Sequence, residues 1–203
     1  MVSSSQDLLE LEFTFPTDQG HMKERLFAVP AYTTAEEIRA LRKRLKLTQR
    51  EFAELICCAK STVERWETSK ENITGPVVLL FQMLDRYTDY PKQLQIPKRE
   101  YPLRLWYMYR QKPCTLIDVN EMEQRVRIVN YTDKLMLRAF GKVEDPDYRM
   151  YEEFLESRCF PASRDKMKLV LQDLDLPFYD PLMIIEKTAG RMAEDDFWIQ
   201  IER

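Results

Sequence analysis

The sequence predicts an α+β protein of two domains, a run of short helices followed by a small antiparallel meander with helices of its own. Three observations carry that prediction. Two Thr-x-x-Glu boxes, Thr34 with Glu37 and Thr48 with Glu51, each mark a helix start where side chains satisfy backbone donors that the first turn leaves orphaned. Apolar residues then recur at helical spacing: Ile38, Leu41 and Leu45, next Phe52, Leu55 and Ile56, then Val63 and Trp66. Beyond residue 102 the texture changes to aromatic and β-branched runs broken by turn signals, and helical patterns return only after them.

The chain has 203 residues, enough for one large domain or two small ones with a real core. Apolar residues at 44% and charged residues at 32% are ordinary for a soluble globular protein. No apolar run reaches about 18 residues, so no membrane span is expected. The start, MVSSSQDLLELEF, has neither a basic segment nor a long apolar core, so it does not read as a secretory signal and the expected location is the cytoplasm. The cysteines (Cys57, Cys58, Cys114, Cys159) contain no C-x-x-C, and His21 is the sole histidine. Reduced structural thiols, no metal site and no cofactor are the expectation.

Four segments are predicted in order. Residues 1–33 form an arm in which Leu9, Leu11, Phe13 and Phe15 alternate with polar residues as a half-buried strand, either a sheet edge or an arm pairing with a partner. Gly20-His21-Met22 within it has the form of a cloning remnant, which is compatible with a native start at Met22. Residues 34–87 form an all-α domain. Its last helix starts at Pro76, where the missing N–H costs nothing, and is apolar nearly all round from Val77 to Leu84. Such a helix needs a second cover beyond its own small core. A second subunit touching Val78, Phe81 and Leu84 is the expectation, and the C-terminal half of the chain is the rival.

Residues 88–102 hold Pro91, Pro97 and Pro102 and read as a semi-rigid linker. Residues 103–203 form the α+β domain. Strands are expected at Leu103–Tyr109, Cys114–Val119 and Arg125–Val129, with a turn at Gln111-Lys112-Pro113. Helices follow, one capped by Asp147, one preceded by Ser163, one from Asp180-Pro181 to Gly190, and a final strand over 197–201.

In the first domain, two short helices joined by a tight turn make a helix-turn-helix unit. The face opposite Val63 and Trp66 offers Lys60, Ser61, Glu64 and Arg65, side chains able to reach base edges in a major groove. The stretch LTQREFAELICCAKSTVERWE resembles the Xre/Cro-type repressors through its L-T-Q start, Ala53 at the helix crossing, and S-T-V-x-R-W-E. By that resemblance Gln49, Lys60, Ser61 and Arg65 occupy DNA-reading positions. Thr62 and Lys70 are phosphate contacts, and Arg50 and Glu64 complete the expected DNA-facing set. Two departures stand out: Cys57 where the family usually has a glycine at positive φ, and Ala59 where it usually has a Ser or Thr cap, each worth about 1 kcal/mol locally.

Charge agrees with that location. The whole chain carries −3, yet residues 35–75 hold nine Lys/Arg against seven Asp/Glu. A weakly basic reader binds DNA modestly as a monomer and much more tightly as a dimer with doubled phosphate contacts.

The second domain resembles, through LWYMYRQKPCTLIDV, RCFPASRDKMKLVL and MAEDDFWIQI, the N-terminal non-catalytic part of HipA-type toxin kinases and the small proteins encoded beside them. Kinase motifs are missing from it: no Gly-rich loop, no H-R-D, no D-F-G. The resemblance implies an operator-binding module joined to a toxin-covering module.

Other constellations read as structural. Cys159 to Arg164 has four intervening residues where a thiol phosphatase loop needs five, and Phe160-Pro161 removes flexibility and a donor. Glu194, Asp195 and Asp196 read as a solvated acidic face, and Trp106, Tyr107 and Tyr109 as core aromatics. No enzyme is expected. The function expected is a dimeric, sequence-specific repressor, an antitoxin or autoregulator of a toxin–antitoxin or mobile-element operon, binding an inverted-repeat operator in double-stranded DNA. The alternative is a protein-binding inhibitor that neutralises a toxin through residues 103–203.

Overall fold

The computed structural model describes residues 26–203, which divide into two compact units at Arg86/Tyr87. The expectations for the strand at 8–15, the Gly20-His21-Met22 segment and His21 lie outside the described residues.

The helical unit contains α1 (Ala35–Arg44), α2 (Gln49–Leu55), α3 (Lys60–Thr68) and α4 (Pro76–Arg86). Both predicted capping boxes form: Thr34 Oγ1 accepts from Glu37 N while Glu37 accepts from Thr34 N, and Thr48 and Glu51 do the same. A two-residue bridge, Thr33 to Ile73, ties the segment before α1 to the loop before α4 through paired 2.9 Å bonds. Ile38, Leu41, Phe52, Ala53, Val63, Ile73, Phe81 and Leu84 form one core, and Phe81 stacks on Phe52 and meets Trp66 edge-on.

The inner side of α4 is the reverse of the one expected. Val78, Phe81 and Leu84, expected at a dimer interface, are 4%, 5% and 8% exposed within their own chain. The side left to solvent carries Leu79, Leu80 and Met83, at 48%, 37% and 52%. A helix apolar all round has no period from which to tell its inner face.

The second unit begins with a short helix, α5 (Tyr90–Gln93), and contains a four-stranded antiparallel sheet in the order β3-β2-β1-β4. The strands are β1 (Leu103–Tyr109), β2 (Lys112–Asn120), β3 (Arg125–Asn130) and β4 (Phe197–Glu202), so the meander and the final strand join as one sheet. The β1–β2 turn is two residues, Arg110 and Gln111, with Arg110 at φ 55°. Lys112 and Pro113, expected in that turn, already belong to β2. Pro113 sits beside a register shift, where a proline's missing N–H is tolerated.

One face of the sheet packs Leu103, Leu105, Tyr107, Ile117, Val119, Val126 and Ile199 against Tyr151, Phe154 and Leu155 of α6 (Tyr148–Ser157) and Ile184 and Ile185 of α8 (Pro181–Thr188). Asp147 and Asp180 cap these helices by accepting from Met150 N and Met183 N, both at 2.8 Å. Between them lies α7 (Met167–Asp173), whose cap position is Lys166 at φ 60° with no side-chain cap, so Ser163 lies in the preceding turn and caps nothing. After α8, Ala189 and Gly190 both take left-handed φ, and a side chain at Gly190 would press on Ile199 Cδ1 at 3.3 Å.

The opposite face carries one charged row in register across four strands, Arg127, Asp118, Arg104 and Glu202. Arg104 and Asp118 are buried and joined twice at 2.7 Å. The segment read as a linker closes over this row. Pro97 O accepts from Arg104 at 3.0 Å, Gln95 O accepts from Tyr131 Oη at 3.2 Å, Glu100 pairs with Arg127, and the Arg127 guanidinium lies over the Tyr101 ring. Proline spacing conveys stiffness but not these partners, of which Arg127 and Tyr131 lie about thirty residues further along the chain.

Candidate nucleic-acid interface

The position of α3 is set by its last buried residue, Glu67, which is 3% exposed. Arg42 of α1 grips its carboxylate with two prongs, Nε to Oε1 at 2.6 Å and Nη2 to Oε2 at 3.0 Å. Gln49, first residue of α2, donates Nε2 to the same Oε2 at 2.8 Å, and Arg39 donates to the Glu67 backbone carbonyl. Arg42 also reaches Leu47 O at 3.0 Å, fastening the α1–α2 connection. One carboxylate thus joins three helices. Burial pushes the Glu67 carboxyl up, but hydrogen bonds from Arg42 and Gln49 and the charges of Arg42 and Arg39 outweigh it and hold its pKa low.

With Val63, Trp66 and Glu67 facing inward, α3 turns Lys60, Ser61, Arg65 and Thr68 to solvent. Arg65 and Ser61 make no side-chain hydrogen bond or ion pair among the described residues. Lys60 and Glu64 pair with each other at 2.8 Å. That pair is exposed, so its hold is worth about 0.3–0.5 kcal/mol and either member can turn to another partner. Thr62 is half-buried, while Lys70 and Arg50 are exposed. The predicted set therefore separates. Lys60, Ser61 and Arg65 share the outward face, Arg50 and Lys70 lie on neighbouring segments, and one N–H of Gln49 is taken up by Glu67.

Both departures from the expected motif take the form anticipated. Cys57 adopts φ 54° in the turn, the backbone a glycine would take without strain. Ala59 occupies the N-cap of α3 and gives no side-chain cap, so the first turn keeps open N–H donors at the end where α3 meets its surroundings. Glu67 stands in the S-T-V-x-R-W-E motif without a role that spacing reveals; a charged residue on the inner face of an amphipathic helix, beside Val63 and Trp66, is the signal that could have marked it.

Residues 38–81 match the model of a helix-turn-helix family. The matched span runs from within α1 to the middle of α4, the part held together by Glu67. No curated protein and no solved structure matches the chain. Among the described residues no helix is long and apolar enough to cross a membrane.

The constellations set aside in the second unit have structural partners. Cys159 is buried, and burial, with the charge of Asp180, pushes its thiol up to about 12. Arg158 beside it is buried and binds Asp195 at 2.7 Å and Gly190 O at 2.8 Å. Asp196 turns to Arg110 at 2.8 Å. Tyr107 stacks on Phe197 and meets Phe154 edge-on, while Trp106 stacks on Tyr131 and donates Nε1 to Glu202 at 2.9 Å.

Proposed function

We propose that this protein is a sequence-specific DNA-binding repressor that binds an inverted-repeat operator as a homodimer and regulates its own toxin–antitoxin or mobile-element operon. The observation that carries the reading is the outward face of α3, with Arg65, Ser61 and Lys60 mounted on a helix that a buried ion pair locks to α1 and α2. An arginine on such a helix reads guanine O6 and N7 in the major groove, and open backbone donors and flanking lysines hold phosphates. Exposed Leu79, Leu80 and Met83 on α4 support a second copy as the cover for that helix.

The C-terminal unit is the partner-binding half in this reading. The partner is a toxin, with a HipA-like kinase the expected kind, and the support is the resemblance of its sequence segments. The test is selection of bound duplexes from a random pool, followed by titration of the selected site. An enriched palindrome whose affinity falls by about 1–3 kcal/mol in Arg65→Ala, with discrimination lost at one base pair per half-site, is the expected result. Wild-type affinity in Arg65→Ala at physiological salt removes the assigned reading face.

A further inference from the structure

A pocket of about 290 Å³ opens on the second unit among Glu121, Tyr148, Tyr151, Glu152, Glu156 and Asp180, and no part of the DNA reading uses it. Its acids come from three places: the β2–β3 turn supplies Glu121, successive turns of α6 supply Glu152 and Glu156, and the cap of α8 supplies Asp180. No lysine or arginine lines it. None of these four carboxylates has an ion-pair partner among the described residues. The surplus of negative charge is local and uncompensated.

A second observation is independent of the charge. Tyr151 is 1% exposed, its ring packed in the core, and its hydroxyl is the one buried side-chain oxygen or nitrogen among the described residues with no hydrogen-bond partner. A buried polar group in that condition is costly unless something supplies the missing bond. Tyr151 lines the same pocket as the four acids, and burial first, then the charges of Glu121, Tyr148, Asp180 and Glu152, raises its pKa. The Tyr148 ring stands beside it, centroids 5.5 Å apart.

We propose that this pocket binds a small aliphatic polyamine, one ammonium donating to the Tyr151 hydroxyl and the others spread over the surrounding carboxylates. The acids do not converge as a metal-ligand set does, so a single compact cation leaves most of them unused. Ammonium groups spaced along a methylene chain match acids spaced around a rim. Tyr148, Leu155 and Leu182 give the methylenes an apolar wall, and an aromatic face attracts an adjacent ammonium.

The test uses the full chain without DNA, so its outcome is separable from that of the repressor reading. Spermidine titrated calorimetrically should bind one to one. Tyr151→Phe should weaken binding about tenfold, the worth of one hydrogen bond to a charged group. Glu152→Gln and Glu156→Gln, both at exposed positions that leave the core untouched, should weaken it by at least as much between them. Absence of binding, displacement by an equal concentration of magnesium, or binding indifferent to Tyr151→Phe or to the two glutamine variants would each overturn the proposal.

Discussion

Arg42 and Glu67 lie 25 residues apart in sequence and meet as a two-pronged, largely buried ion pair at 2.6 and 3.0 Å, Glu67 buried and Arg42 half-buried. The pair makes the orientation of α3 depend on α1, a helix with no part in the outward reading face. Removing one member leaves the other charged in a place with little water, and that penalty exceeds what the intact pair contributes. Arg42→Ala or Glu67→Ala should therefore cost the helical unit about 3–5 kcal/mol, measured by calorimetric unfolding, and a loss below about 1 kcal/mol would show the pair to be solvated.

The same carboxylate sets an acid limit. Its pKa in the folded protein lies below the ordinary 4.5, so its contribution to stability is complete above that value and is lost as the pH falls below it. Asp195, held down by its hydrogen bonds from Arg158 against an ordinary 3.8, gives way in the same direction as the pH falls. Amide exchange followed downward from about pH 6 should show α3 losing protection as Glu67 is protonated, and Glu67→Gln should flatten that step.

Two positions around the turn are open to improvement. Cys57→Gly removes a side chain from a left-handed backbone and should gain up to about 1 kcal/mol. Ala59→Ser supplies the missing cap of α3 and should gain about 1 kcal/mol. Thermal unfolding of each variant checks this, and an unchanged midpoint for Cys57→Gly would mean the strain is absorbed elsewhere.

Substituting the exposed side of α4, Leu79→Glu with Met83→Glu, should convert a dimer to monomer in sedimentation without lowering the unfolding temperature of the monomer. The slope of log affinity for DNA against log salt should fall to about half, since half the phosphate contacts are lost. Phe81→Ala, by contrast, should cost about 3–5 kcal/mol of folding stability, because Phe81 belongs to the core.

In the free protein, Tyr151→Phe removes the one buried hydroxyl among the described residues that lacks a partner. It should raise stability by about 1–3 kcal/mol, read from denaturant midpoints at constant m-value. Destabilisation of that size would mean the hydroxyl has a partner in solution.

What could be read in advance was what is local. Both capping boxes, the outward stripe on α3, the aspartate caps of α6 and α8 and the alternating strands depend on neighbours within a few residues, and all stand in the structure. The misreadings are long-range. The fourth strand's place beside β1, the attachment of residues 95–101 to the sheet and the Arg42–Glu67 grip join residues that no period connects. The misassigned side of α4 has a different origin, since seven apolar residues between Val77 and Leu84 leave no polar stripe to mark the outside. Ser163 precedes α7 as its place in the sequence indicates, but it lies in the turn, and Lys166 takes the cap position.

The strand order has a bearing on how the protein is made. β1 is paired with β2 almost as soon as both leave the ribosome, but its other edge waits for Phe197–Glu202. Throughout synthesis of α6, α7 and α8 that edge is bare, an invitation to strand addition by other nascent chains. A polypeptide interrupted before Phe197 keeps this fault permanently.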